Sequence, residues 1–217
     1  MNEHDTPGAD PAPPPHPLAR ALASAVVRDS TARVLVLGTG NGRNVTPFTQ
    51  IGIPVDILEQ DEARAREAAA RYAAGGLVRV RAGAYAGPYP FEGGFAGALS
   101  TSALLHGTAD AVARSVATVR SALRRDAPFF CTLGSTRDPR FGHGRRIDEQ
   151  TFAPESGSEA GVAHAYFAES QLRAAFAGFE IDELHEGSAS ETVGAWAHTN
   201  DEAATIVHWF VRARVTS

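Results

Sequence analysis

The stretch RVLVLGTGNGRNVTPF, residues 33–48, limits what this chain can fold into more than any other. Val34 to Leu37 are apolar at every position, so both faces of the segment need cover, as in a central strand of a layered α/β sheet. The run ends at Gly38, Gly40 and Gly42, spaced every second residue. Glycine at a strand-to-helix turn admits backbone angles closed to other residues and lets a ligand approach the main chain. In an open α/β sheet that turn borders the crevice beyond the carboxyl ends of the strands, where ligands bind.

Strand and helix patterns alternate around this turn. LARALASAVV (18–27) has helical spacing, and RNVTPFTQIG reads as a helix with Pro47 in its opening turn. VDILEQ (55–60) is a second strand, and DEARAREAAARYAA a helix capped by Asp61 and stopped by Gly75-Gly76. LVRVRAG, FAGALST (95–101) and PFFCTLGS (128–135) follow as strands, with the amphipathic ADAVARSVATVRSALRR between the last two. ESQLRAAFAG is a short helix; FEIDELHE and TIVHWFVRARV (205–215) are the final strands, joined by an apparent loop over 188–203. The order predicts a Rossmann-like α/β fold: a doubly wound, seven-stranded, mostly parallel sheet with an antiparallel C-terminal hairpin. Residues 1–17 contain six prolines and read as a disordered tail, leaving 18–217 as a single domain. Residues 136–167 are glycine-rich and charged, and read as a lid-like insertion after the fifth strand.

Glycine spacing separates candidate ligands. A dinucleotide fingerprint has its last glycine where this chain has Arg43, so the GxGxG pattern fits S-adenosylmethionine better than NAD. Glu59 closes the second strand; a carboxylate there accepts hydrogen bonds from both ribose hydroxyls and repels a 2′-phosphate. Asp56 is the competing acid, earlier on the strand, and the plain alternative for Glu59 is a helix-capping role beside Asp61.

VLVLGTGNGRN, VDILEQDEARAREA, VRVRAGAYAGPYPFEGGFAGALSTSALLH and DAVARSVATVRSALRRDAPFFCTLGS together resemble, in order, the motifs of class I S-adenosylmethionine-dependent methyltransferases. The likeness is to small-molecule and tellurite-resistance-like members (methyltransferase domain type 11/25) and covers residues 30–186. It implies S-adenosylmethionine as cofactor, bound by Gly38, Thr39, Gly40, Gly42, Asn44, Glu59, Gln60, Ala84, Tyr85, Ser100 and Thr101. Two positions depart from the pattern. Gly83-Ala84 stands where the family commonly has an acid for the adenine amino group, leaving backbone near Ala84 and Tyr85 to substitute. Phe95-Ala96 stands where Phe-Asp is frequent; each loss costs on the order of 1 kcal/mol.

The acceptor side offers His106 after the fourth strand, as proton acceptor, as orienting group, or as a mere cap of the next helix. The insertion adds Arg137, His143, Arg145, Arg146, His164 and Tyr166. His106, His164 and Tyr166 are the catalytic candidates; Arg137, Arg146 and His164 are the substrate-binding ones, the arginines suiting a carboxylate or other anionic small molecule. His106, His143 and His164 lack short ligand spacing, so no metal is expected.

Composition closes off other chemistry. All 20 Lys+Arg residues are arginine, which removes a Walker-type lysine, a Schiff base and a lysine general base. A net charge of −5 gives no general attraction to nucleic acid, and no apolar run reaches membrane-spanning length. With Cys131 as its one cysteine, the chain is expected in the cytoplasm; its oligomeric state is open. The expected function is methyl transfer to a small-molecule acceptor by in-line displacement. The alternatives are a non-catalytic, cofactor-binding or regulatory relative, and an NAD-dependent oxidoreductase.

Overall fold

A computed structural model describes residues 14–188 and 205–216. Five parallel strands form the centre of its sheet in the order β3 (Val78–Ala82), β2 (Val55–Glu59), β1 (Val34–Leu37), β4 (Gly97–Ser100) and β5 (Pro128–Ser135). The last strand, β10 (Val207–Val215), lies antiparallel between β5 and β9 (Phe179–Ser188). These seven strands are the expected doubly wound sheet with its C-terminal hairpin.

Strand alternation divides the core into two layers. Val34, Val36 and Ile57 pack with α1 (Pro17–Val26) and α3 (Glu62–Tyr72). Leu35, Leu37 and Leu58 pack on the opposite side with α4 (Ala109–Ala122) and α5 (Glu169–Ala175). The helix after β1 shrinks to α2 (Thr46–Thr49), with Pro47 in its first turn. Asp61 caps α3, its carboxylate accepting from Arg64 N. No helix joins β3 to β4; Tyr85 and Phe95 fill that side of the core, with Tyr89 and Phe91 packed against them.

The insertion differs from the lid expected over 136–167. It forms three short strands, β6 (Arg145–Arg146), β7 (Thr151–Ala153) and β8 (His164–Phe167). β8 is buried throughout and extends the main sheet, Gly134 pairing with Tyr166 and Ser135 with Phe167. Four consecutive buried side chains, and a bond from Trp209 Nε1 to Phe167 O at 2.7 Å, fix this segment to the body. The expected tail is also shorter than 1–17. His16 is 4% exposed and caps α1, Nδ1 accepting from Leu18 N. Residues 1–13 of the expected tail, and the loop expected over 188–203 from residue 189 onward, lie outside the described residues. Among the described residues no helix is long and apolar enough to cross a membrane.

Candidate functional site

The turn after β1 takes left-handed angles at Gly38, Gly40 and Gly42, with φ of +86°, +47° and +87°. A Cβ on Gly38 would come within 2.8 Å of Ala103 Cβ, so the loop after β4 approaches this turn at a distance only glycine allows. A Cβ on Gly42 would strike the Tyr72 hydroxyl. The closeness of these loops shapes one end of a cavity of ≈ 520 Å³.

Glu59, 6% exposed, sits at that end. Its Oε2 accepts from Thr39 N and Thr39 Oγ1, both at 2.9 Å, and its Oε1 from Asp61 N at 3.1 Å. The bonds tie the end of β2 to the glycine turn. Asp56 is elsewhere: fully buried between Arg33 and Arg79, the latter binding it through Nε at 2.7 Å and Nη2 at 2.6 Å. Tyr85 borders the cavity, and burial, followed by the Glu59 charge, pushes its phenol well above the ordinary range. It stays neutral and keeps its proton to donate.

Another part of the wall comes from the loop after β4. Thr101, Ser102, Ala103 and His106 line it. Ser102 holds φ +59° without being glycine, its N donating to Thr132 Oγ1 at 2.8 Å. Strained backbone of this kind gathers at functional loops. Two main-chain bonds join this loop to the insertion: Gly107 N to Ala163 O at 2.8 Å and Ala165 N to Leu105 O at 2.9 Å. They bring the His106 and His164 rings to 4.9 Å, nearly perpendicular. Glu159 lies against both, 3.4 Å from His106 Nε2 and 3.1 Å from His164 Nε2. Burial alone would raise the Glu159 carboxyl; the contacts of the two histidine rings with it outweigh burial and hold the group far below the usual carboxylate range.

Of the residues singled out from sequence, Gly38, Thr39, Gly40, Gly42, Asn44, Glu59, Gln60, Tyr85, Thr101 and His106 line the cavity. Asn44 is a brace as well: Oδ1 accepts from His16 N and Nδ2 donates to Thr101 Oγ1, each at 2.8 Å. The others stand back from the wall. Ala84 does not border the cavity, and Ser100 is fully buried with Oγ accepting from Leu104 N. His164 stands behind His106 and beside Glu159, while Tyr166 is buried against Phe141 and Phe152. Arg137 is 79% exposed and pairs with Glu186; Arg146 is exposed, with Nε donating to Asp148 O.

The arginines that do border the cavity are Arg43, Arg64 and Arg71. Arg64 and Arg71 fall with Glu67 and Ala68 on one stripe of α3, a helical spacing readable once the helix is assigned to the cavity side. Glu159 had no such signal. Its neighbours, SGSEAGV, are those of a surface turn, and only the fold reveals its two histidine partners.

No protein-family model and no curated protein matches the chain. Solved structures do. A Methanosarcina mazei S-adenosylmethionine-dependent methyltransferase aligns with TM-score 0.67 and 17% identity, covering 85% of this chain and 92% of its own. The Burkholderia thailandensis 1,6-didemethyltoxoflavin-N1-methyltransferase, solved with 1,6-didemethyltoxoflavin and S-adenosylhomocysteine bound, aligns with TM-score 0.60 and 22% identity, covering 93% and 80%. The cyclase SpnF aligns with TM-score 0.65 and 17% identity over 92% and 80%. At these identities the likeness is one of architecture, and the architecture is that of the class I S-adenosylmethionine-dependent methyltransferases.

Proposed function

We propose that the chain uses S-adenosylmethionine to methylate a small-molecule acceptor. The observation that carries this reading is one cavity lined by a buried carboxylate, the glycine turn and an imidazole. The residues fit the cofactor. A carboxylate offers about four acceptor positions. Thr39 N, Thr39 Oγ1 and Asp61 N occupy three on Glu59, and rotation of the Thr39 hydroxyl frees a second for a ribose diol. The turn at Gly38–Gly42, Glu59, Gln60, Tyr85 and Thr101 would hold the group. Tyr85 is the cavity-lining residue of the segment that lacks the adenine-binding acid. When bound, S-adenosylmethionine supplies an electrophilic methyl carbon on a sulfonium.

The remaining work falls to alignment and exclusion of water. Thr101 to Ala103 wall the cavity beside the glycine turn, and His106 orients the acceptor or takes its proton. Arg137 and Arg146 stand off the wall, so they give no reason to expect an anionic acceptor. The single buried cysteine supports a cytoplasmic setting.

A second reading, cofactor binding without methyl transfer, draws support from the cyclase SpnF sharing the fold and from the missing acid at Gly83-Ala84. Calorimetry with S-adenosylmethionine and S-adenosylhomocysteine is the first test; no heat from either at high micromolar concentration ends both readings. Binding followed by label transfer from methyl-labelled cofactor to any member of an acceptor panel supports the enzyme. Binding with no transfer favours the second reading, and nicotinamide-cofactor binding would restore the oxidoreductase.

A further inference from the structure

His164 stands between two hydrogen-bond acceptors. Its Nδ1 lies 2.8 Å from Val162 O, which only accepts, so that nitrogen carries the proton and Nε2 the lone pair. The lone pair then faces Glu159 Oε2, a second acceptor, at 3.1 Å. Two acceptors facing each other inside a protein need a positive charge between them, either another proton or a cation. On the other oxygen of the same carboxylate, His106 Nε2 stands at 3.4 Å, longer than N–H···O bonds prefer. One atom from each of His106, Glu159 and His164 falls within 4.8 Å of the others.

We propose that these three residues bind a divalent transition-metal ion, and that the ion takes an oxygen of the acceptor. Two imidazoles and a carboxylate are the donor set of Zn²⁺ and Fe²⁺ sites that keep positions open for substrate. Val162 O does what the partner of a ligating histidine does: it fixes the tautomer and the ring. Arg140 joins the group from the side, with Nη1 3.7 Å from Glu159 Oε2 and with Nε and Nη2 on fully buried Asp138 at 3.0 Å and 2.9 Å. The main-chain bonds between residues 105–107 and 163–165 hold the ligands together before any ion arrives.

His106 is the ligand that borders the cavity, so an open position on the ion is filled from there. The group taken is water, or a hydroxyl or carboxylate oxygen of the acceptor. A bound hydroxyl acidifies and gives its proton to water. The substrate class that follows is an oxygen-bearing, metal-chelating small molecule. This deepens the methyl-transfer reading and rests on it for the identity of the acceptor.

The test uses the full chain, stripped with chelator and titrated with Co²⁺ as the probe. One equivalent should bind with a visible d–d absorption band, and His106→Gln and Glu159→Gln should each weaken it more than about 10-fold. Circular dichroism checks that both variants fold, and Glu159→Gln keeps the side-chain shape. Absence of the band, or equal binding by wild type and both folded variants, overturns the site. S-adenosylhomocysteine calorimetry in chelator reads the parent proposal separately. Cofactor binding without a Co²⁺ band sinks the metal site alone; a band without cofactor binding sinks the proposed function alone.

Discussion

The two ends of the cavity are built in opposite ways. At the glycine end, Thr39 and Glu59 meet because β1 and β2 are adjacent parallel strands whose carboxyl ends come out together. At the far end, His106 meets Glu159 and His164 because an insertion folds back as an additional strand on β5. The first arrangement comes with the fold and asks only for glycine and an acid at strand ends. The second needs three side chains from two segments remote in sequence to meet. Cofactor affinity should therefore depend on the first end, and acceptor chemistry on the second.

The comparison breaks most directly at Gly38. Gly38→Val imposes a side chain at φ +86° and drives a carbon into Ala103. It should cost about 2–4 kcal/mol in denaturant unfolding and abolish calorimetric binding of S-adenosylhomocysteine. Wild-type affinity in this variant would mean the turn is not the cofactor end. Next comes the exchange between ends. Glu59→Ala should weaken S-adenosylhomocysteine binding by about 1–3 kcal/mol. His106→Gln should leave that affinity within about twofold while slowing product formation more than about 10-fold. If His106→Gln moved the cofactor constant as far as Glu59→Ala, the division into two ends would fail.

The same division explains what could be read from sequence. Apolar runs, glycine steps and cap residues act over a few positions, so VLVLGTGNG, the Asp61 cap and the C-terminal hairpin were legible. Glu59 could be ranked over Asp56 because strand ends face the crevice, and the structure puts Asp56 in an arginine clamp instead. Tertiary pairing cannot be read that way. AHAYF looked like part of a loop because its burial comes from β5 and Trp209, both remote in sequence. Asn44 was legible as a residue of the glycine loop, but its bonds to His16 and Thr101 were not.

His16 links acidity to that brace, since its N donates to Asn44 between the two ends. Burial first, then the charges of Arg43 and His208, lower its pKa from 6.5 to about 3. The unfolded chain takes up a proton below 6.5 that the folded chain refuses. Stability from this group is complete above pH 6.5 and falls as pH drops toward 3, by at most about 1.4 kcal/mol per unit. His16→Asn keeps an acceptor for Leu18 N and removes the titration, so its denaturation midpoint should fall less steeply over that window. An identical slope would show that His16 titrates as it does in the unfolded chain.

The smallest effects belong to the arginines that sequence placed at the acceptor end. Arg137 is largely exposed and meets Glu186 at 3.0 Å; Arg146 bonds the Asp148 carbonyl at 3.1 Å, and neither borders the cavity. An exposed ion pair contributes about 0–1 kcal/mol, and salt screens it. Arg137→Ala and Arg146→Ala should leave cofactor affinity and the rate of product formation within about twofold of wild type. Cavity-lining Arg43 supplies the contrast, and Arg43→Ala should shift at least one of those quantities beyond that range. A large rise in KM for the acceptor on removing Arg146, with Arg43→Ala silent, would move the acceptor out of the cavity and onto the β6–β7 hairpin. It would also detach acceptor binding from His106, and the far end of the cavity would then serve the cofactor alone.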